Sequence, residues 1–203
     1  MRSSRKKIFF GDCTFHVSKQ VYEPAEDTFL LAENLSVDET DVVLDVGTGC
    51  GILGILAAKK ARKVVATDVN PHAVRCTWLN AKLNKVEDKM DILLGDLFQP
   101  TKQNEHFSLI LFNAPYLPSN PDEEKTWIER AWAGGPKGRM LIDRFISEAP
   151  QHLSENGRIL LVQSSLSNVN ETLRKFREAG LRARIFAEKK AMFETIVLVE
   201  ARR

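Results

Sequence analysis

Cysteine is scarce in this chain, and the three it has, Cys13, Cys50 and Cys76, form no C-x-x-C pair and leave an odd one over. That excludes a disulfide framework and a cysteine zinc site, so the thiols are expected to be reduced and structural. His16, His72, His106 and His152 are scattered without ligand-like spacing, and no metal is expected. No apolar run approaches the roughly 20 residues that a membrane helix needs. The basic residues Arg2, Arg5, Lys6 and Lys7 are not followed by the apolar core of a signal peptide, which points to a cytoplasmic protein. Charge of one sign is missing too: the net charge is +2 over 203 residues, too mild for a nucleic-acid footprint without a clustered patch. No linker divides the chain, and with 43% hydrophobic residues it reads as a single domain spanning 1–203.

What the chain does have is Asp45-Val46-Gly47-Thr48-Gly49-Cys50-Gly51, set between the apolar run Val42-Val43-Leu44 and the stretch Ile52-Leu53-Gly54-Ile55-Leu56-Ala57-Ala58. A buried strand leads through a glycine turn into a helix. Glycines at alternate positions let a ligand approach main-chain atoms, and the helix N-terminus directs free N–H groups at it. The spacing is G-x-G-x-G, with Asp45 two places before the first glycine. A carboxylate there would repel a pyrophosphate but suits a ligand that carries an ammonium and no phosphate, such as S-adenosylmethionine.

Residues 8–21 alternate loosely around Gly11-Asp12, as in a small hairpin outside the main sheet. Next, Pro24 and the acidic pair Glu26 and Asp27 open an amphipathic helix whose exposed Glu26, Asp27 and Thr28 are expected to cover the ligand pocket, so that residues 1–35 form a lid-like cover. From residue 42 the pattern predicts strand 42–47, helix 51–60, strand 63–69, helix 71–84, strands 91–96 and 107–113, helix 138–150, strand 157–163, helix 168–180, and strands 182–190 and 193–201. The alternation means an α/β fold with a mostly parallel sheet covered by helices on both faces, and the last two strands form an antiparallel hairpin.

In such a sheet, ligands lie outside the carboxyl ends of the strands. The second strand ends at Asp68, about 20 residues past the first glycine, where a carboxylate accepts from ribose hydroxyls. The third ends in Gly95-Asp96-Leu97, where Asp96 can accept from an adenine amino group and Leu97 can pack on the base. The fourth ends in Asn113-Ala114-Pro115-Tyr116. An amide nitrogen or exocyclic amine is a poor nucleophile because its lone pair is delocalised. Holding one of its protons on the Asn113 side-chain oxygen and the other on the Ala114 carbonyl would aim that lone pair at a sulfonium methyl. Pro115 stiffens the turn, and Tyr116 offers an aromatic wall.

Three stretches, Tyr22-Glu23-Pro24-Ala25-Glu26-Asp27-Thr28-Phe29, Asn113-Ala114-Pro115-Tyr116 and Ala131 through Arg139, with Asp143-Arg144-Phe145, give the chain its resemblance to the HemK-type protein glutamine methyltransferases. It is most similar to the short branch of eukaryotes and archaea, from about residue 20 onward. The resemblance implies a class I, Rossmann-like S-adenosylmethionine-dependent enzyme with a seven-stranded sheet in the order 3-2-1-4-5-7-6. The substrate it implies is the glutamine side-chain amide in the Gly-Gly-Gln motif of a translation release factor. Thr28, Asp45, Gly47, Gly49, Asp68, Asp96, Leu97 and Asn113 would face the cofactor. Asn113, Ala114, Pro115 and Tyr116 would hold the glutamine. Ala114 stands where the family usually has proline, which keeps the carbonyl acceptor but loosens the loop.

Residues 117–137 are too long for a simple crossover and carry Pro118, Pro121, acidic residues at 122–124, Trp127 and Trp132, as in a recognition loop. The third strand, Asp91 to Asp96, would lie at a sheet edge with three successive apolar residues and no lysine or proline to blunt it, a sticky surface widened by Val86 and Met90. Members of the short branch work with a small zinc-containing activator protein, and strand addition along residues 86–96 would dock it. Competing readings are an adenine-N6 methyltransferase of nucleic acids, which poses its amine in the same way, a protein lysine methyltransferase, and a non-catalytic cofactor-binding subunit. No recognition domain or basic stripe supports the first, and no base at the reactive corner supports the second.

Overall fold

The computed structural model describes residues 6–102, 104–120 and 126–203. Arg2, Arg5, Pro121 and the acidic residues at 122–124 lie outside them. Seven strands form one sheet, and a two-stranded hairpin stands apart from it. The hairpin pairs β1 (Lys6–Phe10) with β2 (Cys13–Val17) in antiparallel register. It is fastened to the sheet layer by two amides one helical turn apart on α3 (Pro71–Leu83) and its C-cap. Asn80 accepts from the His16 N–H at 2.9 Å and donates to the His16 carbonyl, while Asn84 does the same for Thr14 at 3.0 and 2.8 Å. The side chains thus continue the β2 ladder where no strand is present.

The sheet strands are β3 (Val42–Val46), β4 (Lys63–Asp68), β5 (Met90–Leu94), β6 (Phe107–Asn113), β7 (Leu153–Ser164), β8 (Arg182–Lys190) and β9 (Thr195–Arg202). Their order is β5-β4-β3-β6-β7-β9-β8, which is 3-2-1-4-5-7-6 counted within the sheet, as the resemblance implies. β9 runs antiparallel to both β7 and β8. Neighbouring residues on the central strands alternate between two layers. Val43, Leu109, Leu111, Leu160 and Val162 pack under the hairpin and helices α1 (Glu26–Glu33), α2 (Ile52–Ala58) and α3. Leu44, Val46, Ile110, Phe112 and Leu161 pack under α5 (Met140–His152) and α6 (Val169–Glu178) with Phe145 and Phe176. Both faces of the central strands are buried, which is why they read as continuous apolar runs rather than alternating ones.

Boundaries shift where local chemistry overrides periodicity. α1 starts at Glu26 with Ala25 as N-cap, so Pro24 precedes the helix instead of opening it. α5 begins at Met140 because Gly138 takes φ +65°. It passes directly into β7, whose ladder shifts register between Phe107 and Leu109 before Arg158 pairs, with Asn156 at φ 62° in between. That bulge makes β7 start at Leu153 rather than near 157. A four-residue helix, α4 (Trp127–Arg130), lies within the long excursion, closed by a capping box of Thr126 and Glu129.

Candidate active site

The carboxyl ends of β3, β4, β5 and β6 border a cavity of about 370 Å³, within the size range of small-molecule sites. Its floor is the turn after β3. Gly47, Gly49 and Gly51 all have positive φ, and at Gly51 (φ +86°) a Cβ would lie 2.8 Å from Thr77 Cγ2. Only glycine satisfies both the backbone and the space there.

Asp45 does not line this cavity, contrary to the ammonium contact expected from its position. It is 1% exposed, beneath the turn. Its Oδ2 accepts from Thr48 Oγ1 at 2.6 Å and from the Gly54 N–H at 2.9 Å, joining the turn to α2. Burial raises its pKa to about 7 against those two bonds, with the Asp68 charge adding a smaller push.

Asp68 is on the wall. It accepts from the Gly49 N–H at 2.9 Å and the Asn70 N–H at 2.8 Å, one on each oxygen, which leaves lone pairs on both for ligand hydroxyls. Burial raises its pKa in spite of these backbone bonds. Asn70 caps α3 ahead of Pro71 and donates to the Gln20 carbonyl at 2.7 Å, tying the wall to the segment before α1. Asp96 and Leu97 also line the cavity, Leu97 at φ 46°. Asp96 Oδ2 accepts from Arg144 Nη2 at 2.8 Å, so the Asp-Arg-Phe motif on α5 steadies this carboxylate, a link the sequence did not reveal.

The reactive corner is built from two distant segments. Asn113 at the end of β6 donates from Nδ2 to Thr28 Oγ1 at 3.0 Å, and Thr28 donates to Asp27 Oδ1 at 3.1 Å. The hydroxyls of Tyr22 and Tyr116 both donate to Asp27 Oδ2, at 3.0 and 3.3 Å. Burial, then the Asp27 charge, raises the pKa of both phenols, which keeps them protonated donors. Asp27 and Thr28 are therefore buried, at 5% and 4% exposure, rather than displayed on an exposed helix face. Asn113 Oδ1 is buried and has no hydrogen-bond partner. Ala114 is buried, and its N–H reaches the Val162 carbonyl at 3.4 Å, a bond that a proline here could not make. Asn113, Ala114, Pro115 and Tyr116 all line the cavity, as do Thr28, Gly47 and Gly49.

Described residues of the long excursion also border the site. The Leu117 N–H donates to the Trp132 carbonyl, the Gly134 N–H donates to the Leu117 carbonyl, and Trp127, Arg130, Ala131 and Trp132 join the cavity wall. Arg139 anchors its far end: it is 8% exposed, and its guanidinium donates to the Ser167 and Asn168 carbonyls, Thr172 Oγ1 and Asp143. Tyr22 is a site residue that sequence reasoning passed over, and Asp27, expected on an exposed cover, is buried with the Tyr22 and Tyr116 hydroxyls on it. The five-residue spacing of Tyr22 and Asp27 within a proline-broken segment is a signal for a loop folded back on the first helical turn. Among the described residues no group of three or more His, Cys, Asp or Glu is placed to hold a metal, and no helix is long and apolar enough to cross a membrane.

The cavity lining fits S-adenosylmethionine: Asp68 keeps a lone pair on each oxygen for hydroxyls, and Leu97 is an apolar surface beside the Asp96 carboxylate. Comparison with known proteins agrees. Residues 18–184 match the family described as Methyltransferase small domain. A protein of Methanocaldococcus jannaschii, provisionally named a protein N5-glutamine methyltransferase, is 41% identical over 186 residues, covering 91% of this chain and 92% of its own. Human methyltransferase HEMK2 is 35% identical over 204 residues, covering 95% and 94%. Among solved structures, the E. cuniculi Mtq2–Trm112 complex, described as responsible for methylation of the eRF1 translation termination factor, is similar at 26% identity with a TM-score of 0.67, covering 91% of this chain and 99% of that one. The chain therefore belongs to the methyltransferase small domain family, as a HemK-type enzyme that uses S-adenosylmethionine.

Proposed function

We propose that the chain transfers a methyl group to the side-chain amide nitrogen of the glutamine in the Gly-Gly-Gln motif of a translation release factor. The observation that carries this reading is the unpartnered Oδ1 of Asn113, a buried acceptor at the end of β6, one residue before Ala114. A primary amide brings two N–H groups. One donates to Asn113 Oδ1 and the other to the Ala114 carbonyl, which turns the nitrogen lone pair out of conjugation and toward the cofactor. When bound, S-adenosylmethionine supplies an electrophilic methyl on a sulfonium and leaves as a neutral thioether. The amide nitrogen would gain that methyl as its bond to sulfur breaks, and would give up one proton to solvent. Tyr116 bounds the amide plane, and Trp127 and Trp132 line the cavity beside it. The names of the M. jannaschii relative and of the eRF1-methylating complex support the same substrate.

The proposal extends to a partner. β5 is one of the two edge strands of the sheet, and Leu94 on it is 56% exposed, with Trp78 and Leu83 of the adjoining α3 at 47% and 46%. Val86 and Met90 are buried, at 6% and 8%, and do not widen this surface as the sequence led us to expect. A small zinc-containing activator that adds a strand along β5 would cover it, a reading supported by the paired composition of the Mtq2–Trm112 complex. The substrate assignment is tested by incubating the protein and such a partner with labelled S-adenosylmethionine and a release factor, beside a control whose Gly-Gly-Gln glutamine is replaced. Label should enter the first and not the second, and equal labelling of both would refute the glutamine.

A further inference from the structure

We infer that Asp27 is a positioning residue that fixes which end of the Asn113 amide meets the substrate. The inference rests on the reading that Asn113 holds the acceptor amide, and it explains why a buried carboxylate stands behind that residue. Asp27 accepts four hydrogen bonds: from the Thr28 N–H at 2.6 Å and Thr28 Oγ1 at 3.1 Å on Oδ1, and from the Tyr22 and Tyr116 hydroxyls on Oδ2. A carboxylate has about four lone-pair sites, so it is filled, and it has no proton to give. The Thr28 hydroxyl must therefore spend its only proton on Asp27. Toward Asn113, at 3.0 Å, Thr28 can then only accept. The amide is obliged to present Nδ2 to Thr28 and to turn Oδ1, the unpartnered atom, to the opposite side. An acceptor-only group at one end of the chain thereby sets the polarity of every bond up to the substrate.

The polarity matters because the two ends of an asparagine amide have nearly the same shape. With the amide reversed, an NH2 would face the NH2 of the incoming substrate, and no hydrogen bond would form. Asp27 also holds the Tyr116 hydroxyl, so the same carboxylate places the aromatic wall and the amide acceptor relative to one another.

Asp27→Asn keeps the shape but adds a donor, which allows the Thr28 hydroxyl to point at Asn113 and the amide to reverse. The expected result is a fall in kcat of about 100-fold, with the cofactor dissociation constant and the circular dichroism spectrum of the wild type. Thr28→Val, which removes the hydroxyl alone, should fall similarly. Because the two residues act as one relay, the double variant should lose no more than the worse single one. Asn113→Ala measured alongside reports on the underlying reading. If Asn113→Ala is inactive while Asp27→Asn keeps wild-type kcat, or if the two relay losses multiply in the double variant, the inference is overturned and the reading stands. If Asn113→Ala turns over normally, both fall.

Discussion

Gly138 lies against the carbonyl oxygen of Tyr116, so close that a Cβ at Gly138 would sit far inside the van der Waals radius of that oxygen. The glycine also has φ +65°, so backbone and space impose the same choice. Two motifs separated by more than twenty residues in the sequence are thus one structural unit, the tip of the glycine-rich excursion propping up the reactive turn. Gly138→Ala should push Tyr116 and its neighbours off their positions. The strain at positive φ costs about 1–2 kcal/mol of stability, while the displaced corner loses turnover by about 100-fold. Cofactor affinity, which the proposed roles place at the ends of β3, β4 and β5, should be unchanged. Steady-state kinetics with calorimetry separates these effects, and an unaltered kcat would show that the corner does not lean on Gly138.

The proposed roles assign cofactor and acceptor to different strand ends. Asp68→Ala removes the carboxylate held by the Gly49 and Asn70 N–H groups, and should weaken S-adenosylmethionine binding by about 1.5–3 kcal/mol. Asn113→Ala should leave that affinity nearly intact and abolish turnover. Normal calorimetric binding by Asp68→Ala would remove Asp68 from the cofactor site.

How much of this was legible beforehand depended on whether one element or several determined a residue's place. The glycine turn and the polar strand ends at Asp68, Asp96 and Asn113 follow from local pattern, because buried parallel strands must be apolar until they stop, whereas the strand order comes from the family resemblance. Asp45 misled because its distance from the first glycine is the same whether it points into the cavity or under the turn. Its bonds to Thr48 and Gly54 decide that. Asp27 and Thr28 read as an exposed first turn, since acidic residues usually are. Their burial depends on Tyr22, Asn113 and Tyr116, two of which arrive from some 85 residues further along the chain. α4 spans only four residues held by its own cap, too few for periodicity to register.

The buried Asp45 makes a prediction about pH. Its folded pKa, about 7, lies above the ordinary carboxylate value of 3.8. A raised pKa means that the group's contribution to stability is complete below about pH 4, declines as pH rises through about 7, and is flat beyond. Between those limits the slope is roughly 1.4 kcal/mol per pH step of one. Asp45→Asn has no charge to bury. Without cofactor, the stability of the variant relative to wild type should therefore rise between pH 4 and 7 in chemical denaturation. An offset that does not change with pH would contradict this.

The free edge at β5 predicts a docking phenotype. Leu93 is half-buried and packs on the core, so a charge there would damage the fold, whereas Leu94 points outward. Leu94→Lys should abolish pull-down of the activator partner while changing stability by less than about 0.5 kcal/mol. Undiminished association would place the partner elsewhere.

The central claim is that the Asn113 corner methylates an amide nitrogen, and the most direct measurement is tandem mass spectrometry of a release factor treated with the enzyme and S-adenosylmethionine. The account predicts a single added methyl on the side chain of the Gly-Gly-Gln glutamine, absent with Asn113→Ala. A methyl found on a lysine, or on the glutamine even with Asn113→Ala, would contradict it.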